Sequence, residues 1–206
     1  MLKIWGRNNS INVQKVLWAV DELGLKYERE DAGGAFGKTD TPEYLAMNPN
    51  SLVPTVRDGN NIMWESNSIL RYLGATYGAG TLWPTDPGTR ALADRWMDWQ
   101  LSTISESMRV CFWGLVRTPP DKRDMAAITA AAKQAGALFG RLDGWLAGKK
   151  FVAGDNFTIG DIPVGCFAYR WNALPIERPS LPNLQAWYGR LRERAPYMKH
   201  VAVPMT

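Results

Sequence analysis

The sequence has little thiol and almost no imidazole: two cysteines, Cys111 and Cys166, and one histidine, His200, in 206 residues. The cysteines form no Cys-x-x-Cys pair, which argues against a dithiol centre and against a metal site; no metal is expected. His200 has no carboxylate or thiol beside it in the sequence, so nothing nearby completes a histidine-based triad. No run of five like charges occurs, and Lys plus Arg exceed Asp plus Glu only by 24 to 20. Nucleic acid is therefore not an expected partner. Apolar runs such as Val164 to Tyr169 fall far short of the roughly 18 residues that a membrane-spanning helix needs, so no membrane association is expected. Near the start, Trp5-Gly6-Arg7-Asn8 follows Lys3 in place of an apolar leader, and the expected location is the cytoplasm.

What is present describes an ordinary globular chain, with 46% apolar and 21% charged residues. Its length suits two small domains of roughly 100 residues each. Ten tryptophans read as core and interface packing, because an indole buries a large area whatever the function.

The two halves have different periodicities. Leu2 to Trp5 reads as a strand, Val13 to Leu23 as a helix stopped by Gly24, and Lys26 to Glu30 as a second strand. A Gly-rich loop (Gly33, Gly34, Gly37) leads to a short helix from Pro42 to Met47, ended by Asn48-Pro49. Pro54 to Arg57 and Asn61 to Met63 flank Asp58-Gly59, a hairpin signal, and Ser66 to Tyr77 is helical. The order β-α-β-α-β-β-α predicts a parallel pair joined by a crossover helix, then a hairpin and a closing helix. Gly78 to Gly88 reads as a linker. Beyond it no strand pattern occurs. Met97, Leu101, Ile104, Met108, Cys111 and Leu115 predict one long amphipathic helix, Met125 to Trp145 another, and shorter helices cover 159–172 and 183–194.

Three places offer chemistry. Ser10-Ile11-Asn12 lies where the first helix starts; a polar side chain there either caps the helix or faces an anion held by unpaired amides and the helix dipole. Val53-Pro54 opens a strand. Its peptide bond is either trans, or cis with the Val53 backbone N–H and C=O turned outward to pair with an extended ligand. Glu65-Ser66 precedes a helix; it is either a cap or a grip on an α-amino acid, with Ser66 on the carboxylate and Glu65 on the ammonium.

Read together, Ser10-Ile11-Asn12-Val13, Pro42-Glu43-Tyr44-Leu45 with Asn48-Pro49, Val53-Pro54-Thr55-Val56 with Asp58-Gly59, and Glu65-Ser66-Asn67-Ser68-Ile69 resemble the cytosolic glutathione transferases. The Ser-x-Asn-Val element is most similar to the serine classes, phi- and theta-like. Phe157-Thr158-Ile159-Gly160-Asp161-Ile162 resembles the fold-supporting box of that family, in which Thr158 and Asp161 each satisfy the other's backbone donor.

The resemblance implies an α/β thioredoxin-like domain over residues 1–80 followed by an all-helical domain over 88–206. It implies a transferase that adds glutathione, its co-substrate, to an electrophile of mostly apolar character, with no permanently bound cofactor. Ser10, with Asn12 beside it, would activate the sulfur, Val53 would pair with the cysteinyl backbone, and Glu65 and Ser66 would hold the γ-glutamyl end. Lys38 would meet the glycine carboxylate. Leu52 stands where phi-like sequences often carry Gln or Lys, which removes one polar contact. Arg109 and Trp113, one turn apart, are the expected electrophile pocket. A homodimer is expected, with the helix of Ser66, Asn67 and Arg71 against the partner near Arg95 and Trp99. The alternatives on the same fold are a glutathione-dependent disulfide or peroxide reductase, where Ser10 in place of a cysteine argues against a mixed disulfide on the protein but leaves reduction through two glutathione molecules open, and a ligand- or protein-binding module, against which the retained ligand-binding residues argue.

The energetics allow one hydroxyl to do the work. At an ordinary pKa of about 8.5, only about 3% of a thiol is thiolate at pH 7. Lowering it by about two units takes about 2.7 kcal/mol; a hydrogen bond to a charged group supplies roughly 1.5–3 kcal/mol, and a helix N-terminus up to about 1 kcal/mol.

Overall fold

The computed structural model describes residues 1–206. Four short strands build the first half: β1 (Leu2–Trp5), β2 (Tyr27–Glu30), β3 (Thr55–Asp58) and β4 (Asn61–Trp64). They lie in the order β2-β1-β3-β4, with β1 and β2 parallel and the other two pairings antiparallel. A parallel pair needs a crossover, which α1 (Ile11–Glu22) provides. Gly24, at φ +64°, ends that helix in a left-handed turn that lets the Leu25 amide reach back to the Val20 carbonyl at 3.0 Å. Helix α2 (Pro42–Met47) starts at Thr41, whose hydroxyl accepts from the Tyr44 amide at 3.2 Å, and α3 (Ser66–Tyr77) closes the unit against α1. This is the thioredoxin-like arrangement expected from the sequence.

From Pro87 onward the chain is helical, and here the periodic reading needs a correction. The single long helix expected from Met97 to Leu115 is α4 (Pro87–Trp99) and α5 (Ser105–Phe112), with π-helical turns over Gln100–Ile104 and Trp113–Arg117. A π turn adds a residue to the local repeat and rotates the next stretch of helix about its axis. Met97, Ile104, Met108 and Cys111 are buried as the stripe requires, but Leu101 is 57% exposed. The second stripe is α6 (Met125–Leu146), in which Ile128, Ala135, Leu138 and Leu142 are buried. Helices α7 (Asp161–Ala173) and α8 (Pro182–Arg192) come next, then α9 (Ala195–His200), which the sequence reading omits. His200 and Lys199 on α9 both pair with Asp21 of α1 at 2.7 Å, so the histidine fastens two helices together.

A continuous apolar core joins the halves. Trp18 of α1 meets Phe157 and Tyr197 at ring-centroid distances of 5.5 and 4.7 Å. Asp161, fully buried at the start of α7, ties this junction together. Its carboxylate accepts from the amides of Val152 and Thr158, both at 3.0 Å, from Trp187 Nε1 at 2.9 Å and from Thr158 Oγ1 at 3.3 Å. The expected reciprocity is only half present: the Asp161 amide donates to the Thr158 carbonyl rather than to its hydroxyl, because Thr158 lies before the capping position, which Gly160 occupies.

Candidate functional site

Ser10 takes the N-cap position of α1 with extended backbone, yet its hydroxyl makes no capping bond. The residue is only 9% exposed. Its carbonyl already holds the Gln14 amide at 2.9 Å, so the first turn is closed by backbone and the hydroxyl stays free, beside amides that carry the positive end of the helix dipole. Two residues on, exposed Asn12 is linked to α3: Ser66 Oγ donates to Asn12 Oδ1 at 3.3 Å. Sites separated in sequence thus meet at two adjacent helix starts. One cleft is lined by Asn12, Leu52, Val53, Pro54, Glu65 and Ser66, with Asn48, Asn50 and Trp64 completing its wall.

The Val53-Pro54 bond is cis, and the Val53 backbone N–H and C=O both lack a hydrogen-bond partner. The turn that presents them is held from beneath. Tyr44 Oη and Asn48 Nδ2 donate to the Leu52 carbonyl at 2.7 and 2.8 Å, and Thr55 Oγ1 donates to Tyr44 Oη at 2.8 Å. On the opposite wall, Glu65 adopts φ +67° before α3, a left-handed conformation that non-glycine residues seldom take away from functional positions. Its carboxylate makes no capping bond and no ion pair. Leu52 is 63% exposed at the rim.

Behind Ser66 lies a residue that sequence reasoning misses. Lys15, 1% exposed, points its ammonium at three neutral oxygens: Gln100 Oε1 at 2.8 Å, and Ser66 Oγ and Asn67 Oδ1 at 3.5 Å. Gln100 opens the first π turn, so that irregularity places the partner. Burial pushes the Lys15 ammonium down to about 8. A buried cation with no carboxylate bonded to it makes the neighbouring helix start more hospitable to an anion. The structure buries Val13 to Val20 of α1 on every face, Gln14 and Lys15 included, which the sequence does not signal.

A family model for the glutathione S-transferase N-terminal domain matches residues 1–75, and one for the glutathione S-transferase C-terminal domain matches residues 108–195. The chain is 48% identical over 208 residues to the glutathione S-transferase GstB of Escherichia coli (strain K12), covering 100% of each protein. The chain belongs to the glutathione S-transferase family. Its fold matches the crystal structure of the theta class glutathione S-transferase of Xanthomonas axonopodis pv. citri with glutathione bound, at a TM-score of 0.96 and 52% identity over 100% of this chain and 99% of that one. The apo form of that protein gives a TM-score of 0.87 and 46% identity over 100% and 98%.

Not every expected residue converges on the cleft of this glutathione S-transferase. Lys38, at φ +69° in the Gly-rich loop, is exposed and pairs with Glu30 Oε1 at 2.9 Å, so β2 draws its charge away from the cleft. Arg109 commits its guanidinium to Glu106, one turn earlier on α5, at 2.9 and 2.6 Å; helical spacing alone brings these two together. Trp113 is 56% exposed on the second π turn. Arg71, expected at a subunit contact, binds Asp94 and Asp98 of its own chain at 2.6 and 2.5 Å, and Arg95 lies 4.1 Å over the Trp145 ring. Both cysteines are buried and unpaired, and burial pushes the Cys166 thiol up to about 12. Neither offers a nucleophile. No helix is long and apolar enough to cross a membrane.

Proposed function

We propose that Ser10 donates its free hydroxyl to the sulfur of glutathione bound in the cleft and holds it as thiolate, which then attacks an electrophilic carbon. The observation that carries this reading is the unpartnered Ser10 hydroxyl at the start of α1, beside the first amides of the helix and engaged by nothing else. The tripeptide extends from there along Val53, whose open N–H and C=O suit a cysteinyl backbone. The γ-glutamyl end lies at α3: Ser66 and the first amides receive its carboxylate, with Lys15 adding positive field from behind, and the Glu65 carboxylate receives its ammonium. Asn12 supports Ser66 and shares the polar corner. The absence of a reactive protein thiol favours transfer over disulfide exchange through the chain itself.

Isothermal titration with glutathione tests the tripeptide's orientation. Ser66→Ala and Glu65→Gln are expected to weaken binding by roughly tenfold each, the range of a lost charge-assisted contact, with the turnover of saturated enzyme little changed. Equal affinities for the parent and both variants would overturn this placement.

The same reading takes the protein to be a cytoplasmic homodimer that conjugates reactive, mostly apolar compounds and so detoxifies them. Apolar side chains remain exposed for a second copy to cover, among them Ile62 and Trp64 on the edge strand β4 and Leu92 on α4.

A further inference from the structure

Three neighbouring arginines have no counter-charge. Arg7, Arg117 and Arg170 take part in no ion pair, and their side chains donate no hydrogen bond, whereas Arg29, Arg71, Arg109 and Arg194 are all paired with carboxylates. They are nevertheless fixed in place. The Arg170 guanidinium of α7 lies 3.7 Å from the centroid of the Phe112 ring, and that of Arg117, from the second π turn, lies 5.6 Å from the same centroid. Arg7 precedes Ser10 in the same turn, its carbonyl accepting the Ser10 amide at 3.2 Å. Its side chain crosses the Gly33-Gly34 backbone so closely that a Cβ on Gly34 would sit 3.2 Å from Arg7 Nε. Phe112 and Arg170 also line a crevice with Asn9, the residue beside Ser10.

The three charges feel one another: Arg117 lowers the proton affinity of Arg7, and both lower that of Arg170, in each case after the larger effect of burial. Guanidinium groups are charged at neutral pH. Guanidiniums brought together without a carboxylate repel, and the arrangement is relieved by an anion from solution. Guanidinium is also weakly hydrated and matches planar oxyanions.

We propose that Arg7, Arg117 and Arg170 form an anion subsite beside Ser10, and that the electrophile accepted here carries a carboxylate or equivalent planar anion on an apolar body. This rests on the transferase reading and replaces Arg109 as the source of positive charge. The anion anchors one end of the electrophile and leaves its reactive carbon toward the sulfur. For an aryl chloride, the thiolate forms the C–S bond, the C–Cl bond breaks, chloride leaves with the electron pair, and the thiol proton passes to buffer.

The test compares 4-chloro-3-nitrobenzoate with its methyl ester, each kcat/KM divided by the rate of the uncatalysed reaction with glutathione in the same buffer. The subsite predicts that the carboxylate is preferred by the parent enzyme, and that Arg117→Gln and Arg170→Met each reduce the acid-to-ester ratio by about tenfold, mainly through KM for the acid. Arg117 is exposed, so its variant keeps the test decisive if Arg170→Met does not fold. Because the ratio is internal to each preparation, a partial loss of folded enzyme does not move it. Turnover of both compounds with an ester preference, or with a ratio that neither variant moves, would overturn the subsite and leave the transferase standing. Turnover of neither compound by enzyme that still binds glutathione would overturn both.

Discussion

A lysine buried from base to tip carries its charge at a cost that depends on pH. Burial holds Lys15 at about 8 in the folded chain against an ordinary 10.5, so between those values the unfolded chain keeps a proton that the folded one has lost. The cost of the buried charge is therefore fully present below about pH 8 and is relieved as pH rises toward 10.5. Comparing denaturant unfolding of the parent and Lys15→Met across this range, the stability difference is expected to shift in favour of the parent as pH rises. A difference that is flat with pH would contradict the assignment. The sequence hides this residue because a lysine in a helix reads as solvent-facing. Only a helix covered by α3, α7 and α9 leaves it no water to reach. The positions of Ser10, Val53, Glu65 and Ser66 at element boundaries were legible for the opposite reason: capping and turn residues act over a few positions, where backbone groups lack secondary-structure partners.

At the scale of elements, helix starts and hairpin turns were readable because capping and turn residues act over a few positions. The two π turns were not. Gly114 is the one weak helix former in Trp113–Arg117, where Arg117 comes over Phe112 five residues before it, whereas Gln100 of the first turn meets Lys15, 85 residues away. Helix α9 is six residues long, too short for periodicity to reveal, and is held by ion pairs to α1. Asp161 is the critical joint between elements. Burial pushes its carboxyl up to about 6 against four hydrogen bonds that hold it down, and it remains ionised at neutral pH. Asp161→Ala strands the Val152 and Thr158 amides and the Trp187 indole N–H, at roughly 1–3 kcal/mol each. The expected loss is on the order of 3 kcal/mol or more, a fall in Tm of at least about 6–12 °C for a chain of this size. Thermal unfolding followed by circular dichroism checks it, and a fall of less than about 2 °C would mean the joint is not critical.

For the whole molecule, the division into a mixed sheet with helices and a purely helical remainder was legible because the two halves differ in period. How the halves meet was not, since Trp18 against Phe157 and Tyr197, and the convergence of Arg7, Arg117 and Arg170, join distant stretches. Arg71, expected at a subunit contact, binds Asp94 and Asp98 of its own chain, and that contact stays a proposal. Light scattering at micromolar concentration is expected to give twice the 23.1 kDa chain mass. A monomer with full activity would remove the dimer from the account and leave the single-chain site intact.

All scales meet in the Ser10 hydroxyl, left free by a backbone-closed turn and placed where the dipole of α1 favours negative charge. The most direct test is a spectroscopic titration of the bound glutathione thiol, tracking thiolate absorbance against pH with ligand saturating, in the parent and in Ser10→Ala. The account predicts half-ionisation about two units below the free value of about 8.5 in the parent, and a return most of the way to that value in the variant, with glutathione affinity nearly unchanged. The same midpoint in both proteins would contradict it.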